Sequence, residues 1–136
     1  MRHAFGYNQN KNFHGRELMP LQRDIRIFRI GEATIQVEVA SNFLQRFLGL
    51  MGRKSLPPGH GLLLTDCTGV HMCFMRFPID VVYTDEDFKI RKTVENLRPW
   101  LGVSMCFGAR NALELATNEI RRLKLEVGQQ FSVQIP

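Results

Sequence analysis

Several of the residue types that most often do chemistry fall close together in the middle of the chain. His71, Cys73 and Met75 alternate along VHMCFMRF, and Cys67 lies four residues before His71. In a single strand over residues 70–77 these three alternating side chains share one face. Imidazole, thiolate and thioether are ligands of Cu(I) or Zn. A thiol beside an imidazole is also the core of a nucleophile–base pair. Both readings are incomplete in the residues themselves. The dense Cys/His spacing of a structural zinc site is missing. Asp80, the acid that could orient the imidazole, has parity opposite to His71 unless the strand bends at Pro78. Met and Cys are also ordinary core residues. A soft-metal or hydrolase-like site built on Cys67, His71 and Cys73 is therefore the alternative reading. The preferred one assigns no catalytic residue, no cofactor and no metal.

A second set is polar. Arg53, Arg76, Asp80 and Glu114 sit inside apolar runs, and charged residues in such positions are paired when buried. They form either an ion-pair network between layers or a pocket in which an arginine fork grips a carboxylate or phosphate. Arg76 and Asp80 share strand parity. Trp100, beside Pro99 in a loop-like stretch, either shades a ligand or plugs one end of the fold. The expected site is a polar pocket drawn from Arg53, His71, Arg76, Asp80, Glu114 and Trp100.

Mostly strands must position these residues. Ile25, Ile27, Phe28 and Ile30 form a β-branched and aromatic run, and Gly31–Glu32 offers a turn. Ala33, Ile35, Val37 and Val39 then alternate with polar residues, which predicts a hairpin. Phe43, Leu44, Phe47, Leu48 and Met51 have helical spacing, so a helix is expected over residues 42–51. Leu62 to Leu64 read as a short buried strand. Strands are also expected over residues 70–77, 79–84, 88–94, 103–107 and 131–135. Leu123, Leu125 and Val127 alternate as well. Thr117 is the candidate cap of a short helical turn near residues 118–122. The expected fold is mainly β, a single-domain sandwich or partly closed barrel with one main helix and one short helical turn. It covers residues 24–136 behind a flexible basic arm at residues 1–23.

The blocks LGLMGRKSLPPGHGLLL, TGVHMCFMRFPIDVVYTDED and NALELA together resemble the family known as domain of unknown function 192. That family shows Gly-Leu-Met-x-Arg, here Gly49, Leu50, Met51 and Arg53, and then a Gly-Met/Leu-Leu strand, here Gly61 to Leu64. Its central His-to-Phe block corresponds to His71–Tyr83, and a late Leu-Glu-Leu corresponds to Leu113, Glu114 and Leu115. The match spans about residues 33–134. Met72 stands where the family often has Thr, Thr117–Asn118 where Ala-Gly is usual, and Gln129 where Asp is common. The resemblance implies a compact, mostly β domain of bacteria or archaea and implies no activity.

Length and charge narrow the partners. The chain has 136 residues, 18 Lys+Arg against 13 Asp+Glu and a formal net charge of +5, a size that suits one domain. Residues 1–30 hold six basic and two acidic residues, a net +4, whereas residues 31–136 hold twelve and eleven, a net +1. The body thus lacks the field of a nucleic-acid binder, and nucleic acid is not expected as a partner. No apolar run approaches the roughly 20 residues of a membrane span. The first residues lack the apolar stretch of a signal peptide, and three cysteines without a CxxC pair fit reduced thiols. The expectation is a cytoplasmic, non-enzymatic binding or accessory module. Its partner is a small anionic ligand or a carboxylate on another protein.

Overall fold

Hairpin chemistry organises the start of the structure. β1 (Asp24–Ile30) and β2 (Ala33–Ala40) pair antiparallel, Phe28 opposite Ile35, around a turn at Gly31 with φ 56°. Glycine adopts that left-handed conformation without the steric cost of a Cβ. The computed structural model describes residues 23–40, 50 and 53–136. The helix expected over residues 42–51 and the arm over residues 1–23 lie outside them, apart from Leu50 and Arg23.

β3 (His60–Thr65) runs parallel to β2, and β8 (Asn111–Ala116) and β5 (Ile79–Thr84) follow antiparallel. β6 (Ile90–Leu97) and β9 (Ser132–Gln134) complete a seven-stranded mixed sheet in the order β6-β5-β8-β3-β2-β1-β9. The fold is mainly β, as the alternating pattern predicts, but the sheet is not a closed barrel. A single bridge, Lys89 to Gln130, brings the C-terminal segment against the chain just before β6. The one described helix is α1 (Glu119–Arg122).

The sheet buries both faces, so its central strands read as continuous apolar runs. One face carries Phe28, Ile35, Val37, Leu63, Val82, Leu113 and Leu115 and is covered by Ile120, Leu125 and Phe131. The other carries Leu62, Leu64, Val81, Tyr83 and Ala112. It is covered by Val70, Met72 and Met75, from the stretch that holds a two-stranded ribbon of β4 (Gly69–His71) and β7 (Val103–Met105). The Tyr83 hydroxyl donates to the Ser104 carbonyl at 2.8 Å and pins this ribbon to β5.

Two strand expectations are corrected. The run over residues 70–77 is strand only through His71. Phe74 turns left-handed at φ 64°, and the Met72 carbonyl accepts from both Met75 N–H (3.2 Å) and Trp100 N–H (2.7 Å). The alternation at Leu123, Leu125 and Val127 is not a strand. Lys124 is left-handed (φ 54°), and Leu125 N–H donates back to the Ile120 carbonyl, closing α1. Asn118, rather than Thr117, occupies the N-cap position, without a side-chain hydrogen bond.

Gly102 sets how closely the ribbon lies on the sheet. A Cβ there would stand 2.7 Å from the Arg98 carbonyl oxygen, 2.8 Å from Leu97 Cγ and 2.9 Å from Met72 Cγ. Gly102→Ala is therefore expected to cost about 1–3 kcal/mol through overpacking, read as a lower denaturant midpoint. An unchanged midpoint would show that the ribbon has room to rise.

Candidate functional site

Strand register, rather than sequence proximity, assembles the polar site. Glu38 pairs with Ile25 on one side and Leu62 on the other, Leu62 pairs with Glu114, and Glu114 pairs with Val81. Residues directly opposite one another in a ladder share a face, so Glu38 and Glu114 flank Leu62 in one row across the sheet. Arg53 reaches this row from the segment that precedes β3. Its Nη2 donates to Glu38 Oε1 at 3.2 Å, while Arg23 Nη1 lies 3.5 Å from Glu38 Oε2. Glu38 thus holds one guanidinium with each oxygen.

Above the β1–β3 end of the row lies a cleft of about 220 Å³, lined by Arg23, Gln36, Glu38, Arg53, Leu56 and His60 among others. The Arg53 side chain keeps 37 % of its surface exposed. The fixed fork of five N–H donors leaves capacity beyond the contact with Glu38.

Glu114 is buried beneath the same face, and its Oε2 has no hydrogen-bond partner. Burial pushes its carboxyl up to about 7, and the charge of Arg53 offsets only part of that rise. Nearby, burial also raises the Tyr83 phenol, which feels Cys67, Cys106 and Glu114. Cys67 and Cys106 are half-buried against this core, and Cys67 Sγ donates to the Gly69 carbonyl at 3.0 Å.

The six side chains expected in one pocket divide into three groups. Arg53 and Glu114 lie toward the same sheet face and interact through charge, without a direct hydrogen bond to Glu114 Oε2. Asp80 lies on the opposite face, because it pairs with Leu115 while Glu114 pairs with Val81. There it accepts Asn96 N–H at 2.9 Å and Ile120 N–H at 3.0 Å. His71, Arg76 and Trp100 are exposed on the ribbon and its adjoining turns. The bend after His71 also separates the side chains whose shared parity suggested a soft-ligand face. His71 and Cys73 are exposed, whereas Met75 is buried. Among the described residues no group of three His, Cys, Asp or Glu is placed to hold a metal ion.

Sequence reasoning passed over Glu38, His60 and Arg23. Glu38 is one of three polar residues alternating along β2, and nothing local separates it from Gln36 or Thr34. Its role appears only when the parallel β2–β3 register sets it beside Leu62.

The family model DUF192, described as an uncharacterized ACR, matches residues 26–133. The chain belongs to the DUF192 family. A UPF0127 protein of Pyrococcus abyssi is 33 % identical over 102 residues, covering 70 % of this chain and 83 % of that protein. Another UPF0127 protein, from Pyrococcus furiosus, is 32 % identical over 106 residues, 74 % of this chain and 88 % of that protein. Among solved structures, a candidate transcription regulator of Sinorhizobium meliloti superposes with a TM-score of 0.73 at 26 % identity. It covers 80 % of this chain and 92 % of that one. A protein of unknown function from Novosphingobium aromaticivorans gives 0.71 at 19 % identity over 82 % and 85 %, a likeness of fold alone. In this DUF192 chain, the Arg of the Gly-Leu-Met-x-Arg block and the Glu of the Leu-Glu-Leu block, far apart in sequence, converge on one sheet face.

Proposed function

We propose that this DUF192 domain is a cytoplasmic, non-enzymatic binding module whose Arg53 cleft takes a small anionic ligand or a carboxylate of a protein partner. The observation that carries the reading is the partly exposed Arg53 side chain, its guanidinium braced by Glu38 at 3.2 Å at the edge of the cleft. Arg23 and His60 line the same cleft, and Glu38 is the acid among its described residues. An arginine held from one side presents its remaining donors in fixed geometry, which suits the two oxygens of a carboxylate or phosphate. Glu114 beneath it adds little opposing charge while it carries its proton.

A thermal-shift panel of inorganic phosphate, small mono- and dicarboxylates and nucleotides tests the proposal. A ligand at 100 times its Kd adds about 2.7 kcal/mol to stability. Arg53→Ala is expected to abolish that shift. Arg53→Lys keeps the charge without the fork and should retain a reduced one. A flat response across the panel, or an undiminished shift in Arg53→Ala, counts against the cleft.

A further inference from the structure

The β4–β7 ribbon covers the sheet with one side and shows a different chemistry on the other. Leu101 and Phe107 are each 84 % exposed, Val103 68 %, Phe74 59 %, Trp100 58 % and Met105 46 %. These six come from Phe74 and the short stretch 100–107, with His71 opposite Val103 among them. Exposed apolar side chains gathered in this way are uncommon on a domain that meets only water. Phe74 and Trp100 pack edge to face, with ring centroids 5.0 Å apart. Both are held in the left-handed backbone region, at φ 64° and 66°. That conformation is unfavourable for residues with a large side chain, and such strain persists only where surrounding structure imposes it. Hydrogen bonds from Trp100 N–H to Met72 O (2.7 Å), Met72 N–H to Gly102 O (2.9 Å) and Gly102 N–H to Arg98 O (3.0 Å) impose it here. The fold thus holds two aromatic rings outward against their local preference.

Charge identifies the occupant. Residues 67–78 and 97–110 contain Arg76, Arg98 and Arg110 and no Asp or Glu. Arg110 is paired with Asp66 at 3.5 Å, and Lys92 Nζ donates to the Met105 carbonyl at the edge of the ribbon. Arg76, Arg98 and Lys92 therefore surround an apolar face with uncompensated positive charge. A second copy docking by two-fold symmetry would set these cations against their own kind. Single-stranded nucleic acid would use parallel stacking faces, whereas Phe74 and Trp100 form a wedge and the other four side chains include three aliphatic ones. Apolar side chains that stand clear of the protein, ringed by cations, match hydrocarbon beneath anionic headgroups.

We propose that the outer face of the β4–β7 ribbon docks peripherally on an anionic lipid surface, with Trp100, Leu101 and Phe107 entering the interface and Arg76, Arg98 and Lys92 meeting the headgroups. It lies over the β5–β6 side of the sheet, away from the Arg53 cleft at β1–β3, and is independent of what that cleft binds. No helix among the described residues is long and apolar enough to cross a membrane, so the contact is with the surface.

Trp100 is the sole tryptophan in the chain, so its fluorescence reports the contact directly. The full chain is titrated with vesicles of phosphatidylcholine alone and of phosphatidylcholine with phosphatidylglycerol, and the bound fraction is measured by sedimentation. Each basic residue at such a surface contributes about fivefold. Binding to the anionic vesicles is thus expected to be on the order of 100-fold tighter, with a blue-shifted Trp100 emission and loss at high salt. Leu101→Ser with Phe107→Ser should weaken binding by about tenfold or more while leaving Tm unchanged. Arg98→Glu should remove most of the preference for anionic lipid. An unshifted emission, or equal binding to both vesicles, overturns the proposal. So does a Trp100 response to a single-stranded oligonucleotide without one to vesicles. A dimer in solution that the double serine variant dissociates would assign the face to a second copy and overturn it too.

Discussion

Asp80→Ala should destabilise the fold by about 3–5 kcal/mol, the range seen when a buried charge-assisted contact loses one partner. The side chain is 1 % exposed and accepts two backbone N–H groups from different elements. One belongs to Asn96, which is left-handed at φ 54° and lies in the register shift where two residues of β6 are accommodated opposite Asp80. A bulge of this kind turns an N–H away from the ladder, and Asp80 takes it up. The other belongs to Ile120 in the first turn of α1, where N–H groups lack intrahelical partners. Asn118 at the N-cap makes no side-chain hydrogen bond, so the capping oxygen comes from β5 instead. Alanine removes the acceptor from both donors and leaves the Ile120 N–H buried and unsatisfied, while the part-buried Asn96 N–H loses its partner nearer to solvent. Asn keeps one acceptor and faces the second donor with an amide that also donates, so Asp80→Asn should fall between wild type and Asp80→Ala. Denaturant midpoints of the three chains test the ordering. A cost below about 1 kcal/mol for Ala would mean that water or a rearranged α1 supplies the acceptor.

Glu114→Gln should remove a pH dependence on the order of 3 kcal/mol, since a tenfold change in proton affinity between folded and unfolded chains is worth about 1.4 kcal/mol. In the fold its carboxyl titrates near 7 instead of the ordinary 4.5, because burial disfavours the carboxylate and Arg53 only partly compensates. A folded pKa above the unfolded one means that the native state holds the proton more tightly. The associated stability is therefore complete below about pH 4.5 and is lost as the pH rises through about 7. The groups near Glu114 include Arg53 above it, Glu38 across Leu62, and Tyr83, Cys67 and Cys106 beneath the ribbon. Unfolding free energies of wild type and Glu114→Gln should differ little at about pH 4.5, with the wild type losing ground up to about pH 7.5. Parallel curves over that range would show that Glu114 is ionised throughout. A ligand anion seated on Arg53 should raise this carboxyl further, since it neutralises the cation that favours its ionised form.

Glu119 shows the opposite balance. Arg122 donates to it twice, at 2.6 and 2.8 Å, and Gly59 N–H donates at 2.8 Å, which holds its carboxyl below the usual range. Two carboxylates of one small domain are thus set apart, because desolvation dominates at Glu114 and hydrogen bonds dominate at Glu119. Glu119 has three donors, whereas one oxygen of Glu114 has none.

Much of the strand pattern was legible because it is a local property. Alternation in β2, the apolar run of β3 and the turn at Gly31 follow from side chains and φ preferences within a few residues. The family resemblance also followed directly from ordered blocks. The course after His71 was not legible. Residues 70–77 have ample β propensity, and only the hydrogen bonds of Met72 to Gly102 and Trp100, about thirty residues on, impose the turn at Phe74. That turn dissolves the shared face of His71, Cys73 and Met75 and opens the aromatic surface of the ribbon. Arg53, Glu38 and Glu114 are likewise ordinary charges in the sequence. They come together because a parallel and an antiparallel ladder set Glu38, Leu62 and Glu114 in one row, while a one-residue step sends Asp80 to the opposite face. Sequence alone determined the mainly β class, the family and most of the apolar strands, because local periodicity and motif order encode them. Tertiary structure alone decided which polar residues meet, because strand register joins positions that no local spacing relates.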